Sequence, residues 1–204
     1  MGAKGEQTRE HILATAESLI LQRGYVGTSI EEIIGEAGIT KGGFFYHFGG
    51  KSDLAHKLIL RFLRQDEAFF RSLIARSESL SEDPLQQFLI FLKLLAEAMS
   101  DLPSTHPGCL VAAFTYESHQ FDEDIRQLNA EGMLSWRRIF LEQLQKIAAH
   151  RPMRLDKPLD ELADMLTSVL EGGIVLSKCL NEKDILPRQV LQFRDYIRLL
   201  FGDV

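Results

Sequence analysis

Two cysteines in 204 residues, Cys109 and Cys179, are too few for a disulfide framework. No Cys/His spacing of the kind that holds zinc occurs, and the loose group His106, Cys109, Glu117 and His119 matches no such pattern. So little cysteine makes a reducing cytoplasm the expected setting. Long apolar runs are missing as well. The greasiest stretch, residues 88–99, is too short to span a bilayer and carries Lys93 and Glu97, so it reads as a buried helix face and no membrane partner is expected. Residues 1–10 are polar, without the apolar core of a secretory signal. Absent too are a nucleophile elbow, a phosphate-cradling glycine loop and a His pair at ligand spacing. The chain is therefore read as a non-enzyme, with no catalytic residue, no metal site and no cofactor.

Positive charge is in short supply, but unevenly. The whole chain carries −6, yet residues 1–64 hold eight Lys/Arg against seven Asp/Glu, a balance of +1. The other fifteen Lys/Arg and twenty-two Asp/Glu leave −7 for residues 65–204. Lys41, Lys51, Lys57, Arg61 and Arg64 fall late in the first third, with Glu31, Glu32 and Glu36 upstream of them. This asymmetry permits a local nucleic-acid-facing surface on an acidic protein, without establishing one.

What the chain does have is helical periodicity, and no segment alternates long enough to read as a strand. Ile12, Ala16, Leu19 and Ile20 recur at three- and four-residue spacing before Gly24 closes that helix. Ser29 is placed to cap a second helix, with Glu32 completing a capping box. Gly38 breaks it, Thr40 caps a third helix with Phe44 and Phe48 inward, and Gly49-Gly50 ends that one. A long helix follows over 51–76. Proline and Ser/Asp punctuation then divides the rest into helices near 84–101, 107–119, 122–149, 157–181 and 187–202. The expected fold is all-α with nine helices, divided into residues 1–50 and 51–204.

The second and third helices lie a tight turn apart, which is helix-turn-helix spacing. Gly38 suits the left-handed conformation that turn needs. With Phe44 inward and about 100° per residue, Phe48 points the same way while Gly42 and Tyr46 point out, flanked by Gly43 and Phe45. Two glycines in so short a helix cost about 1 kcal/mol each relative to Ala, so local stability does not explain them. Close approach to another molecule does, and the DNA major groove is a suitable one.

The runs Gly24-Tyr25-Val26-Gly27-Thr28-Ser29-Ile30 and Ala37-Gly38-Ile39-Thr40-Lys41-Gly42-Gly43-Phe44-Phe45-Tyr46-His47-Phe48, then Lys51 and Leu54, resemble the signature of the TetR family of regulators. The resemblance covers about residues 8–57. It implies a dimeric repressor that grips palindromic operator DNA and is released by a small molecule bound in its C-terminal domain. Lys41, Gly42 and Gly43 would then face bases, and Phe45, Tyr46 and His47 the sugar-phosphate backbone. Thr28 and the caps Ser29 and Thr40 join this set, and Lys51 would bind phosphate at a helix N-terminus. Two departures stand out: Phe45 replaces the family's usual Tyr, and Gly50 its usual polar cap before Lys51.

Farther on, Phe88, Phe91, Phe114, Tyr116, Trp136, Phe140 and Met165 are the candidate lining of a largely apolar effector pocket, which favours a hydrophobic, aromatic effector of drug-like size. The stripe through Trp136 and Phe140 also reads as ordinary core. Cys109, expected in the first turn of a helix begun by Pro107 and next to His106, is a candidate sensing thiol at that site. Leu166, Val169, Leu170, Gly173, Leu176 and Leu180, with Phe193, Ile197, Leu200 and Phe201, are the expected homodimer interface, a four-helix bundle with glycine at its tightest crossing. A rival reading keeps the fold but has the C-terminal domain recruit a protein partner and bind no small ligand.

Overall fold

The structure, a computed structural model, describes residues 2–202. Within them lie nine α-helices, one 3-10 turn and no strand. They are α1 (Ala3–Arg23), α2 (Ile30–Ala37), α3 (Lys41–His47), α4 (Lys51–Glu78), α5 (Pro84–Ser100), α6 (Leu110–Tyr116), α7 (Glu123–Ala148), α8 (Leu159–Leu180) and α9 (Ile185–Phe201), with the 3-10 turn Ser118–Gln120 before α7. No described helix is long and apolar enough to cross a membrane.

Local signals act where the sequence puts them. The Ser29 hydroxyl accepts the Glu32 N–H at 3.2 Å, and the Glu32 carboxylate takes the Ser29 N–H at 2.8 Å, a complete capping box. Gly38 sits at φ 63°, ψ 33°, and its left-handed backbone ends α2. Thr40 caps α3 by accepting the Gly43 N–H at 3.0 Å. Asp53 reaches back to the Gly49 N–H at 2.8 Å and supplies the polar partner that Gly50 cannot. Pro84 begins α5, where its missing N–H costs nothing, and Asp83 accepts the Gln86 N–H at 3.0 Å. The helix expected over 107–119 is shorter. Gly108 lies at φ 133°, so Pro107 does not open it, and Cys109 is its cap.

Contacts divide the chain into two compact units that do not part at 50/51. The first comprises the residues up to Gln65 together with Pro107–Gly132. Its core gathers Ile12, Ala16 and Ile20 of α1, Ile33 of α2, Phe44 and Phe48, and Leu54 and Leu58 of α4, all buried, and adds Leu110, Val111 and Phe114 from α6. Arg61 of α4 pairs with Glu10 and Glu17 of α1. Gly132 lies close against Leu63 and Val111, so close that a Cβ there would fall 2.6 Å from the Leu63 Cδ2.

The second unit holds Asp66–His106 and the chain from Met133 onward. There α9 packs against α5 and α8. Phe88, Phe91 and Leu92 of α5, Leu166 of α8, and Val190, Phe193, Ile197 and Leu200 of α9 are buried. Phe91 lies 5.7 Å from Phe88 and 6.2 Å from Phe140, ring centre to ring centre. Gly173 lets α8 meet the start of α9: a Cβ there would lie 2.7 Å from the Leu186 Cδ1 and 3.2 Å from its Cα. Beside it the buried Ser177 hydroxyl accepts the Leu186 N–H at 3.1 Å.

Candidate nucleic-acid interface

The turn between α2 and α3 presents α3 with one apolar and one solvent face. Phe44 and Phe48 are at most 1% exposed and anchor the helix, their ring centres 5.4 Å apart. On the opposite side Lys41, Gly42, Phe45 and Tyr46 are exposed, Tyr46 to 71%. Gly43 is half-buried, and a Cβ there would crowd the Thr40 hydroxyl at 3.3 Å. Gly42 differs: a Cβ would meet nothing closer than 4.0 Å, so the protein's own packing does not call for glycine at that position. The Lys41 ammonium lies 4.0 Å from the Glu31 carboxylate with both side chains well exposed, a weak pairing that leaves the ammonium available.

Around this face the helices are braced. Arg23 at the end of α1 bonds Glu32 at 3.0 Å. Hydrogen bonds from the Ser29 backbone, then from its hydroxyl, hold the Glu32 carboxyl below the usual range, against a smaller opposing effect of desolvation. Lys57 donates to the His47 carbonyl at 3.1 Å and to Asp53 at 2.8 Å, tying the end of α3 to α4.

Three residues expected at the interface are turned inward. Thr28 is fully buried and donates its hydroxyl to the Gly24 carbonyl at 2.8 Å, because a small polar side chain in this tight turn bonds its own backbone. His47 is only 7% exposed, packed beside Phe48. Lys51 is half-buried and donates from Nζ to the Tyr25 carbonyl at 2.5 Å, with the ammonium 4.2 Å from the Tyr25 ring centre. Ser29 and Thr40 are accessible, but their oxygens already serve the caps. Glu117, which accepts the Tyr25 and Val26 N–H groups at 2.9 and 2.7 Å, escaped the sequence reading in this role. Residues about ninety positions apart leave no local pattern that announces such a contact.

The expected effector residues do not gather in one unit. Phe88, Phe91, Trp136 and Phe140 are buried in the second, whereas Cys109 and Phe114 are buried in the first. Tyr116 is 80% and Met165 40% exposed, so both are removed from a buried lining. The Trp136 Nε1–H is buried without a hydrogen-bond partner. The Cys109 thiol accepts the Ala112 N–H at 3.4 Å. Burial, reinforced by Lys178, pushes His106 below the usual imidazole value, which opposes its service as a cation for Cys109.

The expected dimer residues also separate. Leu166, Gly173, Phe193, Ile197, Leu200 and Phe201 are buried within one chain, where they join α8 to α9 and α9 to α5. Val169 and Leu170 are half-buried, and only Leu176 and Leu180 of the set stand out, accompanied by Met165, Val175 and Leu199. Gly172, beside the occupied Gly173, opens onto free space.

Residues 12–58 match the bacterial regulatory proteins of the tetR family, and residues 84–190 match the C-terminal domain of LmrA/YxaF-like transcriptional regulators. The transcriptional regulator LmrA of Bacillus subtilis is 30% identical over 174 residues, covering 83% of this chain and 86% of its own. The transcriptional repressor DhaR of a Mycobacterium species is 22% identical over 178 residues, covering 87% and 86%. In fold the chain is similar to a TetR-family regulator from Agrobacterium tumefaciens, with a TM-score of 0.78 at 23% identity over 97% of this chain and all of the other. A helix-turn-helix with an exposed, glycine-bearing third helix, joined to a helical C-terminal region matched over most of its length, places this protein in the TetR family of bacterial transcriptional regulators.

Proposed function

We propose that the protein is a ligand-responsive repressor that binds a palindromic operator as a homodimer in the cytoplasm. The observation that carries the reading is the outer face of α3, where Lys41, Phe45 and Tyr46 stand exposed around a Gly42 that the protein itself does not need. Backbone at Gly42 approaches the floor of the major groove, Lys41 and Gly43 contribute at the same helix start, and Phe45 and Tyr46 meet sugar and phosphate. One such helix reads too few base pairs for useful specificity, which requires two copies. The exposed apolar residues Met165, Leu176 and Leu180 around Gly172 are the surface on which a second copy docks. A hydrophobic effector acts through the second unit, where the unpaired Trp136 Nε1–H is a donor for an acceptor atom on that molecule. DNA reading is assigned to residues 1–50 and response to residues 51–204.

Genomic fragments captured by the purified protein should contain inverted repeats, and Gly42→Val should abolish their recovery without altering the helical content. Capture of no inverted repeat refutes the reading. The mutual packing of Phe88, Phe91 and Phe140 favours a second reading, in which the C-terminal region is a filled core that recruits a protein. A thermal shift with apolar aromatic compounds, abolished by Trp136→Phe, decides for the effector.

A further inference from the structure

The end of α3 is held by two side chains that lie beyond it in α4. Two of the seven residues of α3 are glycines, so helix propensity contributes little, and a helix this short is marginal without outside contacts. Its start has the Thr40 cap and its inner face has Phe44 and Phe48, but the carbonyls of its last turn need partners from elsewhere. After His47 the chain turns extended at Phe48, with φ -135° and ψ 129°. The peptide groups on either side of Phe48 are both taken up by α4. The Lys57 ammonium donates to the His47 carbonyl at 3.1 Å, and one carboxylate oxygen of Asp53 accepts the Gly49 N–H at 2.8 Å. That same oxygen accepts from Lys57 at 2.8 Å, and the ammonium lies 5.2 Å from the Phe48 ring centre. A cation at the end of a helix also suits its dipole. Burial would raise the Asp53 pKa, but the bonds from Lys57 and from the Gly49 N–H outweigh it and hold the carboxyl below its usual range. A half-buried pair four residues apart on one helix contributes little to stability by itself. This one is turned onto the backbone that follows the exposed helix.

We propose that Asp53 and Lys57 are positioning residues for operator binding, a brace that fixes the end of α3 and thereby aims the exposed Phe45 and Tyr46. The proposal rests on the operator-binding reading above. Breaking the brace leaves the His47 carbonyl and the Gly49 N–H to water, and the last turn of α3 frays. Tyr46 lies in that turn, so its contact with the DNA backbone loses definition, while Lys41 and Gly42 beside the Thr40 cap keep theirs. A carboxylate close to DNA opposes binding by its charge, so Asp53 favours binding only through the shape of the protein.

Operator affinity measured against KCl concentration for the wild type, Asp53→Ala, Lys57→Met, Tyr46→Ala and the Asp53→Ala/Tyr46→Ala double variant tests the brace. By charge alone, Asp53→Ala would bind as tightly as the wild type or more tightly. The brace requires it to bind about tenfold more weakly, the worth of one hydrogen bond to an ion. Lys57→Met should lose a similar factor with the slope of log K against log [salt] unchanged, whereas loss of a phosphate contact flattens that slope by about 0.9. The double variant should lose less than the two single losses combined, because Tyr46 is already misplaced once Asp53 is gone; a role in overall stability alone makes the losses additive. Lys57→Met carries the same cycle with Tyr46→Ala if Asp53→Ala does not fold. Undiminished binding by Asp53→Ala, a flattened slope for Lys57→Met, or additive losses overturns the proposal. Hydrogen exchange provides a readout without DNA: the Phe48 and Gly49 amides should exchange at least about tenfold faster in Asp53→Ala than in the wild type, with those of α1 unchanged. Equal exchange at Gly49 also overturns it. A wild type that captures no operator refutes the reading under Proposed function, and the exchange experiment then decides by itself whether Asp53 holds the end of α3.

Discussion

Replacing Gly173 by Leu separates two roles that this glycine could have, contact with its own chain or with a second copy. A first carbon at this position would fall 2.7 Å from the Leu186 Cδ1, which can swing aside, and 3.2 Å from the Leu186 Cα, which cannot move unless α9 moves. Gly173→Ala gains about 1 kcal/mol in helix propensity and loses about 1–3 kcal/mol to overpacking, a net loss of roughly 0–2 kcal/mol. Leucine adds three more carbons to the same filled space, and the loss should reach at least about 3 kcal/mol. For a chain of this length that corresponds to a fall in Tm of about 6–12 °C. The fall should persist on dilution, because the contact lies within one chain. Gly172→Leu is the matched control: its added atoms enter open space, so it should leave the stability of one chain intact and shift the sedimenting species toward monomer. A Gly173→Leu protein that melts like the wild type but dissociates on dilution would refute the intrachain assignment and return Gly173 to the dimer surface.

Three further outcomes are expected. Asp83 has its pKa held down by the Gln86 amide and by Arg151, so it stabilises the fold above the ordinary value of 3.8 and loses that contribution as the pH falls through its lower folded value; Asp83→Asn should therefore be less stable than the wild type at neutral pH, with the gap in urea midpoints closing in acid. Cys109 is only 7% exposed, so alkylation followed by mass spectrometry should label its peptide far more slowly in the native protein than in the urea-unfolded one. Gly38→Ala should cost about 1–2 kcal/mol in chemical unfolding, since its left-handed backbone disfavours a Cβ although space for one is open.

Features specified by a few neighbouring residues were readable in the sequence. Ser29 with Glu32, Gly38, and Thr40 act through contacts three or four positions away, so composition and spacing reveal them. Phe44 and Phe48 declared the inner face of α3 by their period. Polarity misled at Thr28 and His47, because a polar residue bonded or packed within a tight turn looks in sequence like one waiting for a ligand. Aromatic and apolar character misled at Tyr116 and Met165, which face solvent. In α8 the failure had a different source. That helix is apolar on two sides, through Leu166 and Gly173 on one and Met165, Leu176 and Leu180 on the other, and hydrophobicity does not say which side meets the same chain. Glu117 was out of reach for a simpler reason, since its partners lie about ninety residues upstream.

The discontinuous first unit has consequences for how the protein is made and how it can be recombined. During synthesis, residues 1–65 leave the ribosome with their caps and aromatic core, but Tyr25 must wait for Phe114, Glu117 and Phe121 before its ring and amide are covered. The nascent helix-turn-helix therefore passes through an interval with an uncovered aromatic ring and an unfilled amide pair, a state in which a holding chaperone has something to grip. A graft cut at residue 50 would carry the same incompleteness permanently, leaving behind both Lys51 and Glu117. A transplant that moves residues 1–65 must bring residues 107–132 with it to transfer a finished turn.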